Sequence, residues 1–211
     1  MFGTQNLLLF VTSGILLNLT PGQDTFYILG RSIAQGRRAG ILSVLGITSG
    51  CVVHTLAAAF GLSAILATSA NAFLAVKFAG AAYLAYLGIT MLVGRASNDG
   101  RRGLAMELEH ESPWAIYRAG FFTNVLNPKV ALFFMAFLPQ FVDPLSESKI
   151  AAFLFLGAVF MFNGTIWCLI LAWGASAMSR HLRERPSVGA IVTRAAGALF
   201  IGLGVKLAVS K

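Results

Sequence analysis

The sequence predicts an all-α membrane protein of six transmembrane helices, built as two inverted three-helix repeats with broken first and fourth helices. Three observations carry this. The 211-residue chain is 57% hydrophobic and only 11% charged, with a mean hydropathy of +0.76, against about 25% charged residues in a soluble domain. Six apolar runs fill its length. The first and fourth of these runs share one interruption, a polar residue followed by proline. The composition excludes a soluble catalytic domain, and it is the opposite of the low-hydrophobicity signature of disorder.

The runs fall roughly at 7–29, 40–66, 71–93, 115–139, 150–175 and 188–209. Each can cross a hydrocarbon core of about 30 Å at 1.5 Å per residue. Helices are required, because a barrel needs segments of about ten residues with alternating polarity. The first run is expected to stay as a span: the first basic residue is Arg31, so the basic start of a cleavable signal is missing. Runs two and three are divided by the small polar turn Thr68-Ser69-Ala70-Asn71. Between runs three and four, Gly94 to Pro113 carries Arg101, Arg102, Glu107, Glu109 and Glu111 and reads as a solvated linker. The chain is thus one membrane-embedded domain, 1–211, with a first repeat at about 1–93, a linker at about 94–113 and a second repeat at about 114–211. Gly46 and Gly50, four apart, read as a helix-packing face.

Basic residues orient the chain. The connections after spans one, three and five hold Arg31, Arg37, Arg38, Arg95, Arg101, Arg102, Arg180, Arg183 and Arg185, with Arg118 and Arg194 at adjoining helix ends. The other side has Lys77, Lys149, Lys206 and Lys211, a tally of 11 against 4 with Lys129 inside a span. By the positive-inside rule the first set is cytoplasmic and both termini lie outside. The net charge of +8 therefore reflects loop loading and gives no reason to expect nucleic acid. Cys51 and Cys168 lie inside apolar runs without metal or disulfide spacing and read as small buried hydrophobes. No cofactor or metal is expected. Trp114, Tyr117 and Trp173 sit near span ends, where amphipathic rings prefer the interface.

Three spans per half force the second half to insert upside down. Inverted repeats place a transport site where broken helices from both halves meet. The first span contains Asn18-Leu19-Thr20-Pro21-Gly22-Gln23-Asp24 and the fourth Asn124-Val125-Leu126-Asn127-Pro128-Lys129. Proline removes a backbone donor and breaks the helix. Thr20 or Asn127 is then placed to cap a new half-helix with proline at its first position, and Thr20 with Gln23 has capping-box spacing. Two such N-termini favour an anion. A small zwitterion suits them, its carboxylate at a helix N-terminus and its ammonium at a carboxylate or carbonyl oxygens.

Asp24 and Lys129 are the deep ionisable residues. Charges within a membrane are costly and usually functional. Asp24 is a candidate for ammonium binding or for carrying a coupling proton; the structural alternatives are neutralisation by Lys129 or a place at the interface near Arg31. His54 is a proton-relay candidate or a packing histidine. Tyr83 and Tyr86 either line a cavity or pack against Gly80 and Ala81. The candidate substrate and ion site is therefore Asn18, Thr20, Pro21, Gly22, Asp24, Asn124, Asn127, Pro128 and Lys129, with Asp24 and His54 as the proton relay.

The run from Asn18 to Asp24, with Gly30-Arg31 and Gly36-Arg37-Arg38-Ala39-Gly40, resembles the LysE/RhtB amino-acid exporters. So do Asn124 to Lys129, Lys77 to Gly88 and Phe137-Leu138-Pro139-Gln140-Phe141. The resemblance covers nearly the whole chain outside the linker. It implies a bacterial inner-membrane protein of six helices that exports amino acids or close derivatives on the proton gradient. Gln23 stands where that family usually has a second proline.

The expected function is secondary active export by alternating access, with an amino acid, protons and membrane lipid as partners, and with a homo-oligomer compatible. A passive channel-like facilitator and a transmembrane thiol or electron carrier are the alternatives. The latter would need cysteines beside the breaks. An intramembrane protease is disfavoured, because Ser49 lies five residues before His54 on another face of the same helix.

Overall fold

The computed structural model describes residues 3–64, 110–143, 146 and 148–175, with scattered positions between 74 and 93 and between 194 and 209. The turn at 68–71, Gly80, Tyr83, Gly94–Glu109 and most of spans three and six lie outside the described residues. The described chain is helical: α1 (Leu7–Leu19), α2 (Gln23–Leu56, continued by a π-helical turn at Ala57–Leu62), α3 (Pro113–Val125), α4 (Pro128–Ala136, with a 3-10 turn at Leu138–Phe141) and α5 (Lys149–Trp173).

Gln23–Leu62 and Lys149–Trp173 are long and apolar enough to cross a membrane, and Pro113–Val125 with Pro128–Phe141 makes a third span if the pair, bent by 45°, is counted as one. Their outward surfaces are apolar: Leu8, Phe162 and Leu126 are 78%, 67% and 74% exposed. A water-soluble protein does not leave so many large apolar side chains uncovered.

One boundary differs from expectation. No loop separates spans one and two around 30–39, because α2 is helical on both sides of a single non-helical residue, Gly36 (φ 81°, ψ 179°). The chain reverses there. A β-carbon placed on Gly40 would lie 3.2 Å from that of Ser32, whereas eight residues along a continuous helix separate by about 12 Å. Residues with a β-carbon avoid this backbone region, so glycine concentrates the whole turn in one position. The arm 23–35 is set apart from the rest of α2 by this turn.

Close backbone approach joins the halves. A β-carbon on Gly50 would sit 2.7 Å from the Phe121 carbonyl oxygen and 2.9 Å from the β-carbon of Asn124, so Gly46 and Gly50 do form the face against which α3 packs. Tyr27 ties the returning arm to the same helix, donating to the Ile116 carbonyl at 2.7 Å. The other contact layer is aromatic. Phe10 of α1 packs against Phe133, Phe137 and Phe141, with Phe133 and Phe137 stacked at 4.7 Å. Trp114 and Tyr117 stack at 5.5 Å at the start of α3, and Trp114 and Trp173 remain largely exposed.

Candidate functional site

The site begins at the first break. Pro21 has no N–H to continue the helix, and Thr20 closes α1: its N–H donates to the Leu16 and Leu17 carbonyls, and its hydroxyl to Leu16 O at 2.8 Å. The expected capping box is therefore not formed. Thr20 terminates the helix before the break instead of capping the one after it, Pro21 precedes the N-cap, and Gly22 fills that cap without a side-chain contact. The physical reason is that both ends exposed by a break need partners, and a threonine hydroxyl reaches its own i−4 carbonyl readily.

The second break has the expected form. Asn127 is the N-cap of α4, its Oδ1 accepts from Lys129 N–H at 3.0 Å, and Pro128 takes the first helical position. Asp24 and Lys129 thus hold equivalent places, second in the half-helix after each break. Each reaches across to the other break. Lys129 Nζ donates to the Leu17 and Thr20 carbonyls at the end of α1, both at 2.8 Å. Asp24 Oδ2 accepts from Asn124 Nδ2 at 2.9 Å at the end of α3. The Lys129 ammonium sits at the C-terminal end of α1, where the dipole favours a cation, and Asp24 lies in the first turn of α2, where it favours an anion. They form no direct ion pair with one another.

His54 Nε2 lies 3.0 Å from the Asn124 carbonyl oxygen, which can only accept, so this nitrogen carries a proton. Arg31 is committed elsewhere. It is buried and paired with Glu111, and Gln35 holds the same segment through its amide and the Glu111 carbonyl, 3.0 Å apart. Asp24 is therefore not part of the Arg31 interface. Ser49 is engaged by the Tyr117 hydroxyl at 2.9 Å, away from His54.

A cavity of about 60 Å³ lies between the breaks and α5. Asn18, Thr20, Gly22, Asp24, Asn124, Asn127 and Lys129 border it, whereas Pro21, Pro128 and His54 do not. Tyr86 is 62% exposed and does not line it. The opposite wall, which the sequence reasoning missed, is the face of α5 carrying Phe160, Met161, Gly164, Trp167 and Cys168. Its only advance signal was one-face helical spacing, shared with ordinary packing surfaces. Cys51 and Cys168, read as filler from opposite halves of the sequence, both border the cavity and are free thiols. Thr48 and Thr165 close the gap between α2 and α5 with a 3.0 Å hydrogen bond.

Two helix breaks crossed by charges thus border one cavity, and comparison with known families shows what kind of chain carries them. The model of the LysE type translocators matches residues 15–211. The chain belongs to the LysE type translocator family. This LysE-type protein is accordingly a multi-pass membrane protein and a transporter, not an enzyme. It is 30% identical over 203 residues to an uncharacterized membrane protein of Pseudomonas aeruginosa, covering 94% of this chain and 93% of that one. A leucine efflux protein of Klebsiella pneumoniae is 27% identical over 208 residues, covering 98% and 96% of the two chains. One of Enterobacter is 27% identical over 209 residues, covering 98% and 97%. No solved structure matches.

Proposed function

We propose that this translocator exports amino acids or close derivatives from the cytoplasm, coupled to the proton gradient, by alternating access of two inverted three-helix halves. The observation that carries the reading is the crossed arrangement of Asp24 and Lys129. Each charge is anchored on the opposite break, so moving one half relative to the other changes the environment of both. Asp24 binds the substrate ammonium and takes up a proton when the substrate leaves. His54, joined to Asn124 from the other side, is the second titratable group of this relay. The apolar wall at Phe160 and Met161 suits an aliphatic side chain, and relatives named leucine efflux proteins make leucine the first substrate to try. The arginine-rich side is cytoplasmic, the termini lie outside, and the membrane is the bacterial inner membrane.

The test is transport of labelled leucine by protein in liposomes under an imposed pH gradient. Asp24→Asn keeps an acceptor for Asn124 but cannot cycle a charge. It is expected to lose at least nine-tenths of pH-driven transport. Undiminished pH-driven transport by this variant would remove Asp24 from the coupling mechanism.

A further inference from the structure

Among the described residues, four buried polar atoms bordering the cavity have no hydrogen-bond partner: Asn18 Nδ2, Trp167 Nε1, Asp24 Oδ1 and Asn124 Oδ1. Buried groups of this kind are normally satisfied, and leaving one unmade is costly. They are sorted by chemistry. The two nitrogens only donate, and the two oxygens only accept.

They are sorted by position as well. The acceptors sit together, since Asp24 and Asn124 share a 2.9 Å hydrogen bond. The donors are both at α5, Trp167 as one of its residues and Asn18 lying against it. The Asn18 amide nitrogen is 3.4 Å from where a β-carbon on Gly164 would stand, and Trp167 is three residues further along the same helix face. One end of the cavity therefore lacks an acceptor, and the other lacks a donor. The half-helix N-termini are the poorer anion sites, because at α4 Pro128 has no N–H and Lys129 N–H is held by Asn127 Oδ1, and at α2 the Asp24 carboxylate already occupies the first turn.

We infer that Trp167 Nε1 and Asn18 Nδ2 bind the carboxylate of a zwitterionic substrate whose ammonium lies against Asp24 and Asn124. This rests on the amino-acid reading above and deepens it, moving the carboxylate from the half-helix N-termini to α5. Substrate occupancy satisfies all four orphaned atoms at once. An uncharged or purely cationic ligand leaves the α5 pair unmet.

The experiment is equilibrium binding of labelled leucine to the purified protein, with leucinamide as competitor. Leucinamide keeps the ammonium and side chain but has no carboxylate. The parent protein is expected to prefer leucine by tenfold or more, the usual scale for a hydrogen bond to a charged group. Trp167→Phe keeps the ring and removes the donor; it is expected to weaken leucine at least tenfold and leave leucinamide unchanged. Asn18→Ala removes the other donor from a different helix and is expected to give the same split, which covers a failure of the tryptophan variant to fold. A general loss of packing would weaken both ligands together. Leucine binding equal in parent and Trp167→Phe, or a parent that does not prefer leucine to leucinamide, overturns the inference while the amino-acid reading stands. A parent that binds neither ligand overturns both.

Discussion

Lys129 and Asp24 look alike in sequence, as lone charges in apolar runs, yet they do different work. The Lys129 ammonium donates to two carbonyls at the end of α1: that of Leu17, which also accepts from the Thr20 N–H at 3.2 Å, and that of Thr20, where the chain breaks. Lys129→Met keeps the length of the side chain but takes this donor from the Thr20 carbonyl, at about 1–3 kcal/mol. Its unfolding midpoint in detergent is expected to fall well below that of the parent. Asp24→Asn is expected to unfold close to the parent, because the amide oxygen still accepts from Asn124. The reverse ranking would show that Asp24, not Lys129, holds the breaks together. Asp24, Asn124, Asn127 and Lys129 were legible because charge and amide groups are conspicuous in an apolar run. The role of Thr20 was not, since spacing cannot say which of two facing helix ends a residue between them serves. Nor could it expose Trp167, whose indole reads as packing until its N–H is seen without a partner.

At the scale of elements, two glycines decide geometry in different ways. Gly36 makes the reversal inside α2, with nothing within 4 Å of a notional β-carbon, so its constraint is wholly one of backbone conformation. Gly36→Ala is expected to cost about 1–3 kcal/mol. Gly61→Ala, also in open space but at a negative φ, is expected to leave thermal stability unchanged or raised. Equal midpoints for the two variants would contradict the turn geometry. Gly50 is constrained by contact: an added methyl meets Phe121 and Asn124 and would shift the residue that holds Asp24. The packing role of Gly46 and Gly50 was legible from their four-residue spacing. The connection at 30–39 was legible from the arginines between two apolar runs, but its form was not, because the helix-favouring residues around Gly36 hide a reversal made by one φ angle.

Across the whole molecule the described helices define two ends. At one, Gly3 to Gln5 pairs with Phe141 to Asp143 through the Gln5 N–H to Phe141 O and Asp143 N–H to Gly3 O bonds of 2.9 and 2.8 Å. At the other, Arg31 and Gln35 hold Glu111 beside the turn at Gly36. The orientation proposed above puts the second end in the cytoplasm, since translocating several arginines across a bilayer is opposed by their hydration and by the membrane potential. Exposed residues at each end make this a direct measurement. In a background with Cys51 and Cys168 replaced by alanine, Gln5→Cys is expected to react with a membrane-impermeant maleimide in intact spheroplasts. Arg38→Cys is expected to react only after permeabilisation. The opposite pattern would overturn the orientation proposed from the arginines but not the proposed export, because exchange of substrate for a proton follows the proton gradient whichever way the carrier faces.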